Sequence, residues 1–440
     1  MWSPCSHNPG RLEIKRMRFA LISVLLLCAM ARQTGAAIIT VTNTNDSGPG
    51  SLRQALAVAH DGDRVTFAVS GTITLTSGAL VVAKNVTISG PGAHHLSIVG
   101  MPFQSVFSVG AATISGLTIR DGAVGIDNGG MLTVMNCVIS GNSVGGIHNG
   151  SSLTVVNSNV SDNFFGIYNI TGELGVVTAT ILSTTVSGNS AGGVVAAPHF
   201  FGGRAYITIS DCTISGNFST TGGGGIFATN TSLNVANSTI SGNSTGSSGG
   251  GISISGSGLV PGSSIVNSTV SGNSAGTSGG GIFTSNTSLR VADSTITGNS
   301  APSGGGIYNV GSVEVSNTIL NAGASGENIF NDGGTFISFG YNLSSDDGGG
   351  YLKGPGDQIN TDPLLGPLQD NGGPTLTHAL LPGSPAIDAG NPNFHPPPFN
   401  DQRGCPRVIN GRIDIGSFER QPLGRSCLTP RPRPTPAPRP

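Results

Sequence analysis

Between residues 100 and 320 the apolar residues fall in short alternating runs, and each run ends in Gly, Asn or Ser. One run closes with a (V/I)-(S/T)-G-N signature: VISGNS, VSDN, VSGNS, TISGN, TISGNS, TVSGNS and TITGNS. Its asparagines, Asn142, Asn163, Asn189, Asn217, Asn243, Asn273 and Asn299, lie 21, 26, 28, 26, 30 and 26 residues apart. A second run opens with a glycine cluster and ends at Ile147, Ile226, Ile252, Ile282 and Ile307. A third is an alternating pair: Leu153/Val155, Leu233/Val235, Leu289/Val291 and Val313/Val315. Alternation with period two predicts strands, and the Gly and Asn residues between them mark sharp bends. Three strands in a unit of twenty-odd residues predict an all-β parallel β-helix. Helical repeats are excluded, because glycine runs and Thr/Val/Ser strands disfavour helix.

The pattern also predicts how the units stack. Ile, Val and Leu line the interior, and the recurrent asparagine sits at one bend, its amide bonded to backbone or to the next asparagine. From Val65 to Gly350 the period gives roughly 11 turns, a rod on the order of 50 Å long at the inter-strand spacing. Open rod ends invite end-to-end pairing and need cover. Ser51 to Ala59 is the one convincing helix, with a Ser51/Gln54 capping box and Leu52, Ala55, Leu56 and Ala59 on one face, so it is expected to cap the first coil. After Tyr351 prolines and charges return, and this segment is expected to close the other end. From Pro430 to Pro440 proline falls at alternate positions, and residues 421–440 read as an extended, disordered tail.

Residues 1–37 read as a secretory signal peptide. Arg11, Lys15, Arg16 and Arg18 precede the apolar run Phe19 to Met30, and small residues follow at Gly35, Ala36 and Ala37. The run is too short to span a bilayer. The domains expected are therefore a leader (1–37), the capped β-helix (38–350), a C-terminal segment (351–420) and the tail. Only 20 Lys and Arg and 22 Asp and Glu are present among 440 residues, for a net charge of −2, which leaves no nucleic-acid footprint. Four cysteines follow the leader. Cys137 and Cys212 occupy the same repeat position three strand spacings apart, beyond disulfide reach. Cys405 and Cys427 flank the final segment and are free to pair in an exported protein.

Three stretches resemble known families. VTNTNDSGPGSLRQAL is similar to the N-terminal motif of exported bacterial proteins named for a CSLREA signature, although Gly50-Ser51-Leu52-Arg53-Gln54-Ala55 lacks the leading cysteine and the glutamate. DPLLGPLQDNGGPTLTHALLPGSPAIDAG, with DQRG and DIGSFE, resembles the choice-of-anchor Q domain. The GGGI and SGNS repeats resemble those of right-handed parallel β-helix proteins, including chlamydial polymorphic outer-membrane proteins. The resemblance implies a right-handed β-helix of exported proteins. No other apolar run is long enough to span a bilayer, so the mature chain is expected to be secreted or held at the cell surface without a membrane-spanning segment, and monomeric. The role expected is structural or adhesive, with an extracellular polysaccharide or cell-surface glycan as partner. The alternative is a polysaccharide lyase, or less readily a hydrolase.

The chemistry for cleavage is sparse. From Asp121 to Ser345 two basic residues, Arg204 and Arg290, face nine acids, whereas a uronate lyase needs a basic group among clustered carboxylates. Asp346-Asp347 is the one adjacent acidic pair, a weak calcium site at most, and no other cofactor is expected. The sharpest constellation follows the GI signature. The next residue should point outward, giving Asp127, His148, Tyr168, Phe227, Phe283 and Tyr308 in a column along the rod. As a base–acid pair His148 and Tyr168 can serve β-elimination, with Asp127 orienting the imidazole. As surface they can hold a sugar, or simply stack on one another.

Overall fold

The computed structural model describes residues 36–171, 175–198, 202–256, 258, 260–422 and 427. The leader lies almost entirely outside these residues, and so does most of the tail. From Ile38 onward the chain forms one unit, and almost every regular element in it is a short strand paired in parallel with the strand one turn away. The path is a parallel β-solenoid with three faces, named here by their sequence signatures.

The SGN face is a 12-stranded parallel sheet running from Gly71–Thr74 to Leu343–Ser344. Its register partners lie 20 residues apart at Thr118 and Val138 but 30 apart at Thr239 and Thr269. The compact early turns are why the rod has about 12 turns rather than the 11 that a uniform 26-residue period gives. The GI and L-x-V faces merge into a 20-stranded sheet, because in several turns the chain runs from one to the other without a break, as in Val124–Met135 and Ile282–Ala292.

Three ladders of apolar side chains fill the interior. On the GI face Ile126, Ile147, Ile167, Val194, Ile226, Ile252, Ile282 and Ile307 stack in register and are fully buried. Equivalent ladders run through Ile139, Val160 and Val186 on the SGN face and Val134, Val155 and Ile181 on the L-x-V face.

The bends are held by polar ladders. Each asparagine of the SGN signature donates its amide to the next, from Asn142 through to Asn299, at 2.8–3.1 Å. The same carbonyl oxygen also accepts the preceding asparagine's backbone N–H, as at Asn217 and Asn243, 3.0 Å apart. All seven are buried. The glycine before each GI isoleucine packs against this ladder. A Cβ on Gly225 would lie 2.6 Å from the Gly251 carbonyl and 2.9 Å from the Asn243 amide. The SGN and GGI signatures are thus two sides of one contact.

At the opposite bend a hydroxyl ladder passes backbone N–H groups to side chains one turn on, from Ser238 to Ser268 and from Ser268 to Ser294. Cys137 and Cys212 occupy positions in it, buried and unpaired.

Both ends are covered. Leu52–Val58 is helical, with the Ser51 hydroxyl accepting the Gln54 N–H at 3.2 Å, and Leu52, Ala55, Leu56 and Ala59 are buried. Arg53 pairs with Asp46 at 2.7 Å and donates to the carbonyls of Gly78 and Ala79. At the far end residues 351–361 close the last coil: Leu352 joins the core and Ser344 bonds the Gln358 carbonyl.

The rest of the C-terminal segment does more than close the rod. It forms an antiparallel hairpin, Leu365–Gln369 with Thr377–Leu380, and then folds back along the SGN face. Gln402 bonds both Thr239 and Thr269, Ser417 bonds Thr295, and fully buried Arg407 reaches Asp293 at 3.3 Å. Outward residues that are half-buried in the turn at Thr213–Ser215 become buried at Thr239–Ser241, Thr269–Ser271 and Thr295–Thr297. Alternation inside the repeats carries no information about a later segment lying over them, so the sequence reading stopped at closure. Cys405 and Cys427 form a disulfide.

Candidate functional site

The strand register of the GI face fixes one outward column. It reads Ser108, Asp127, His148, Tyr168, Val195, Phe227, Ser253, Phe283, Tyr308 and Phe330, each paired with the next. The structure places all six sequence-derived residues, Asp127, His148, Tyr168, Phe227, Phe283 and Tyr308, in this column. Val195 and Ser253 interrupt it. Phe330 extends it; its turn reads NIFN and has lost the glycine signature used to find the others.

The rings form two clusters. In one, the His148 ring meets the Tyr168 ring edge-on at 5.4 Å, and Tyr168 stacks on Phe165 at 4.8 Å. In the other, Tyr308 stacks between Phe283 and Phe330 at 5.6 and 5.1 Å, with interplanar angles of 19° and 16°. Its hydroxyl donates to Asp332 at 2.7 Å, and that bond raises the phenol's pKa. Both faces of Tyr308 are therefore taken by its neighbours. What this cluster offers a ligand is ring edges, together with the outer faces of the end rings.

His148 packs tightly. A Cβ on Gly145 would lie 2.7 Å from Nε2, which explains a glycine there, and Nε2 is buried without a hydrogen-bond partner. Burial pushes the imidazole's pKa below its ordinary value, against the opposing pull of the Asp127 charge. Asp127 is the register partner of His148 on the adjacent strand and acts on it through charge; no hydrogen bond joins the two among the described residues.

The acidic pair is engaged in its own loop. Asp346 accepts hydrogen bonds from Asn328 N, Ser344 Oγ and Gly348 N, and these outweigh burial to hold its carboxyl below the usual range. Asp347 accepts the Gly349 N–H.

A second feature was not found from the sequence. The outward column of the L-x-V face is threonine in six successive turns, Thr87, Thr113, Thr133, Thr154, Thr180 and Thr208. It continues as Asn234 and Ser264, then changes to Arg290 and Glu314. At that point residues 391–397 of the C-terminal segment overhang the rod and enclose a cleft of about 510 Å3, with Phe339, Tyr341, Phe394 and His395 in its walls. The break in the small-polar column was a signal visible in the sequence. The overhanging loop that gives it meaning was not.

Comparison with known proteins bears on the fold and the repeat. Residues 211–229 and 293–310 match the model of the Chlamydia polymorphic membrane protein repeat. No curated protein sequence matches the chain. Among solved structures the chain is similar to pectate lyase Pel9A, at 15% identity and a TM-score of 0.46, over 88% of this chain and 97% of that one. It is similar to the A-module of the Azotobacter vinelandii mannuronan C-5 epimerase AlgE6, at 13% identity and a TM-score of 0.43, over 70% of this chain and 99% of that one. A PL6 alginate lyase in complex with a trisaccharide is similar at 13% identity and a TM-score of 0.38, over 74% of this chain and 84% of that one. Such likeness concerns the fold alone; the solenoid is established by the strand register described above.

Proposed function

We propose that the protein is an exported bacterial rod of the cell surface or extracellular space that holds glycans without cleaving them. The observation that carries this reading is the outward GI-face column, which lines up rings, an imidazole and small polar groups along the rod axis at roughly 4.8 Å per turn. A polymer lying along that axis meets two ring clusters, one at His148 and Tyr168 and one at Phe283 and Tyr308. Individually weak contacts then add without new geometry. Asp127, His148, Tyr168, Phe227, Phe283 and Tyr308 are the contacts assigned to it.

The surface address rests on the leader pattern and on the resemblance of the N-terminal and C-terminal segments to CSLREA and choice-of-anchor Q sequences. The matched repeat, named for a membrane protein of Chlamydia, agrees with it. No helix among the described residues is long and apolar enough to cross a membrane.

Two measurements test the reading. A glycan array combined with an ultraviolet assay for unsaturated uronate products should show retention without product. Product formation that disappears in His148→Ala would make the protein a lyase instead. Export is read from Trp2, the sole tryptophan. Protein recovered outside the cell should lack tryptophan fluorescence, and an exported form that still contains Trp2 would contradict cleavage near Ala36 or Ala37.

A further inference from the structure

The cleft beneath residues 391–397 combines features that the GI column lacks. Phe339 is 57% exposed at its rim, so an open ring face is available to an apolar ligand surface. Arg290 and Glu314 are register partners on adjacent strands, yet they form no ion pair with each other, and neither side chain has a hydrogen-bond partner among the described residues. A strong donor and a strong acceptor therefore stand side by side with unused capacity. Around them the wall is polar and aromatic, through Tyr341, Phe394 and His395. The volume, about 510 Å3, falls inside the roughly 300–1,000 Å3 range of small-ligand sites.

We infer that this cleft is a saccharide-binding site that takes a neutral pyranose unit of a longer glycan. A pyranose presents an apolar C–H face, which suits Phe339. It also presents vicinal hydroxyls that both donate and accept, which suits the Arg290/Glu314 pair. Charge favours a neutral sugar, because Arg290 and Glu314 offset each other and the third strong charge in the cleft wall, Asp293, pairs with Arg407. The site exists only because the C-terminal segment folds back, so that segment is part of the recognition surface as well as a cover for the rod. This inference rests on the glycan-holding reading above and gives it a second site, distinct from the column.

The test is titration calorimetry of the mature protein with four neutral tetrasaccharides, the cello-, xylo-, manno- and malto- forms. Arg290→Ala, Glu314→Gln and Phe339→Ala are compared with Thr133→Ala and Thr154→Ala on the threonine column, and thermal melts confirm folding. The expected result is that at least one tetrasaccharide binds, that each cleft variant weakens it tenfold or more, and that the threonine variants stay within twofold of wild type. Cleft variants within twofold of wild type, with a tetrasaccharide bound, would overturn the cleft assignment and leave the glycan-holding rod intact. Retention of polysaccharide with no tetrasaccharide bound would also overturn the cleft alone. Failure to bind tetrasaccharide and polysaccharide alike would overturn both.

Discussion

Asn243 illustrates how much one side chain holds in this rod. Its carbonyl oxygen accepts both the backbone and the amide N–H of Asn217, and its own amide donates to Asn273 and to the Ile214 carbonyl. Asn243→Ala leaves these buried groups unmet at about 1–3 kcal/mol each. Chemical denaturation should show the loss, and a change below about 0.5 kcal/mol would mean that water replaces the amide. Cys212 makes the opposite case. Its thiol fills a hydroxyl position, accepting the Thr184 N–H at 3.4 Å, and burial pushes its pKa up to about 12. Cys212→Ser should stay within about 0.5 kcal/mol of wild type, and the native thiol should resist alkylation until the protein unfolds. Ile147 and His148 are adjacent but face opposite ways. Ile147→Ala should cost on the order of 2–5 kcal/mol through a cavity, whereas His148→Ala should cost about 0.5 kcal/mol or less. Equal losses would mean that the in/out assignment fails. At this scale the sequence was highly legible: alternation gave the facing of each residue, and recurrence of asparagine at one bend position gave the ladder. The second ladder, Asn128 to Asn149 to Asn169, was overlooked because its asparagines trail the GI signature rather than close an apolar run.

The two end elements are held by carboxylates with opposite pH behaviour. Asp46, in the N-terminal clasp, is held down to about 2: burial opposes ionisation, but hydrogen bonds from Ser77, Arg53 and Thr76 outweigh it. A carboxyl depressed in the folded state contributes stability above its unfolded value, near 3.8, and that contribution is lost as pH falls through about 2. Glu419 in the C-terminal segment is pushed up to about 9 by burial first and the Asp414 charge second. A carboxyl raised in the folded state contributes fully below its unfolded value, near 4.5, and the contribution is lost as pH rises through about 9. Hydrogen exchange should therefore show residues 399–420 loosening at alkaline pH and the first coil loosening at strongly acid pH. Glu419→Gln should abolish the alkaline effect; an unchanged profile in that variant would place its origin elsewhere. The helix was readable from its cap and apolar face. The fold-back was not, because DQRG and DIGSFE act by bonding each other and distant turns. Asp401 binds Arg403 and the Glu419 N–H, and Gln402 bridges Thr239 and Thr269. The Gln402 pairings span 163 and 133 residues and leave no local period.

At the largest scale the described residues from Ile38 onward form a rod in which each turn pairs with its neighbours, until the C-terminal segment ties together the turns at Thr239, Thr269, Thr295 and Asn317. Far-ultraviolet circular dichroism should show β-structure with very little helix; a helix content above about 15% would contradict the solenoid. The surface proposed to meet a glycan was only half legible. The column followed from the GI period, but the cleft depends on a loop whose position no repeat encodes. The central claim is that this surface holds glycan chains, and the most direct test is hydrogen exchange measured with and without the polysaccharide best retained on the array. The account predicts protection on the GI face around residues 147–149, 167–169 and 307–309, and in the cleft around 339–341 and 391–397, with no change on the threonine column at Thr113, Thr133, Thr154 and Thr180. Protection on that column alone, or none anywhere at saturating polysaccharide, would contradict it.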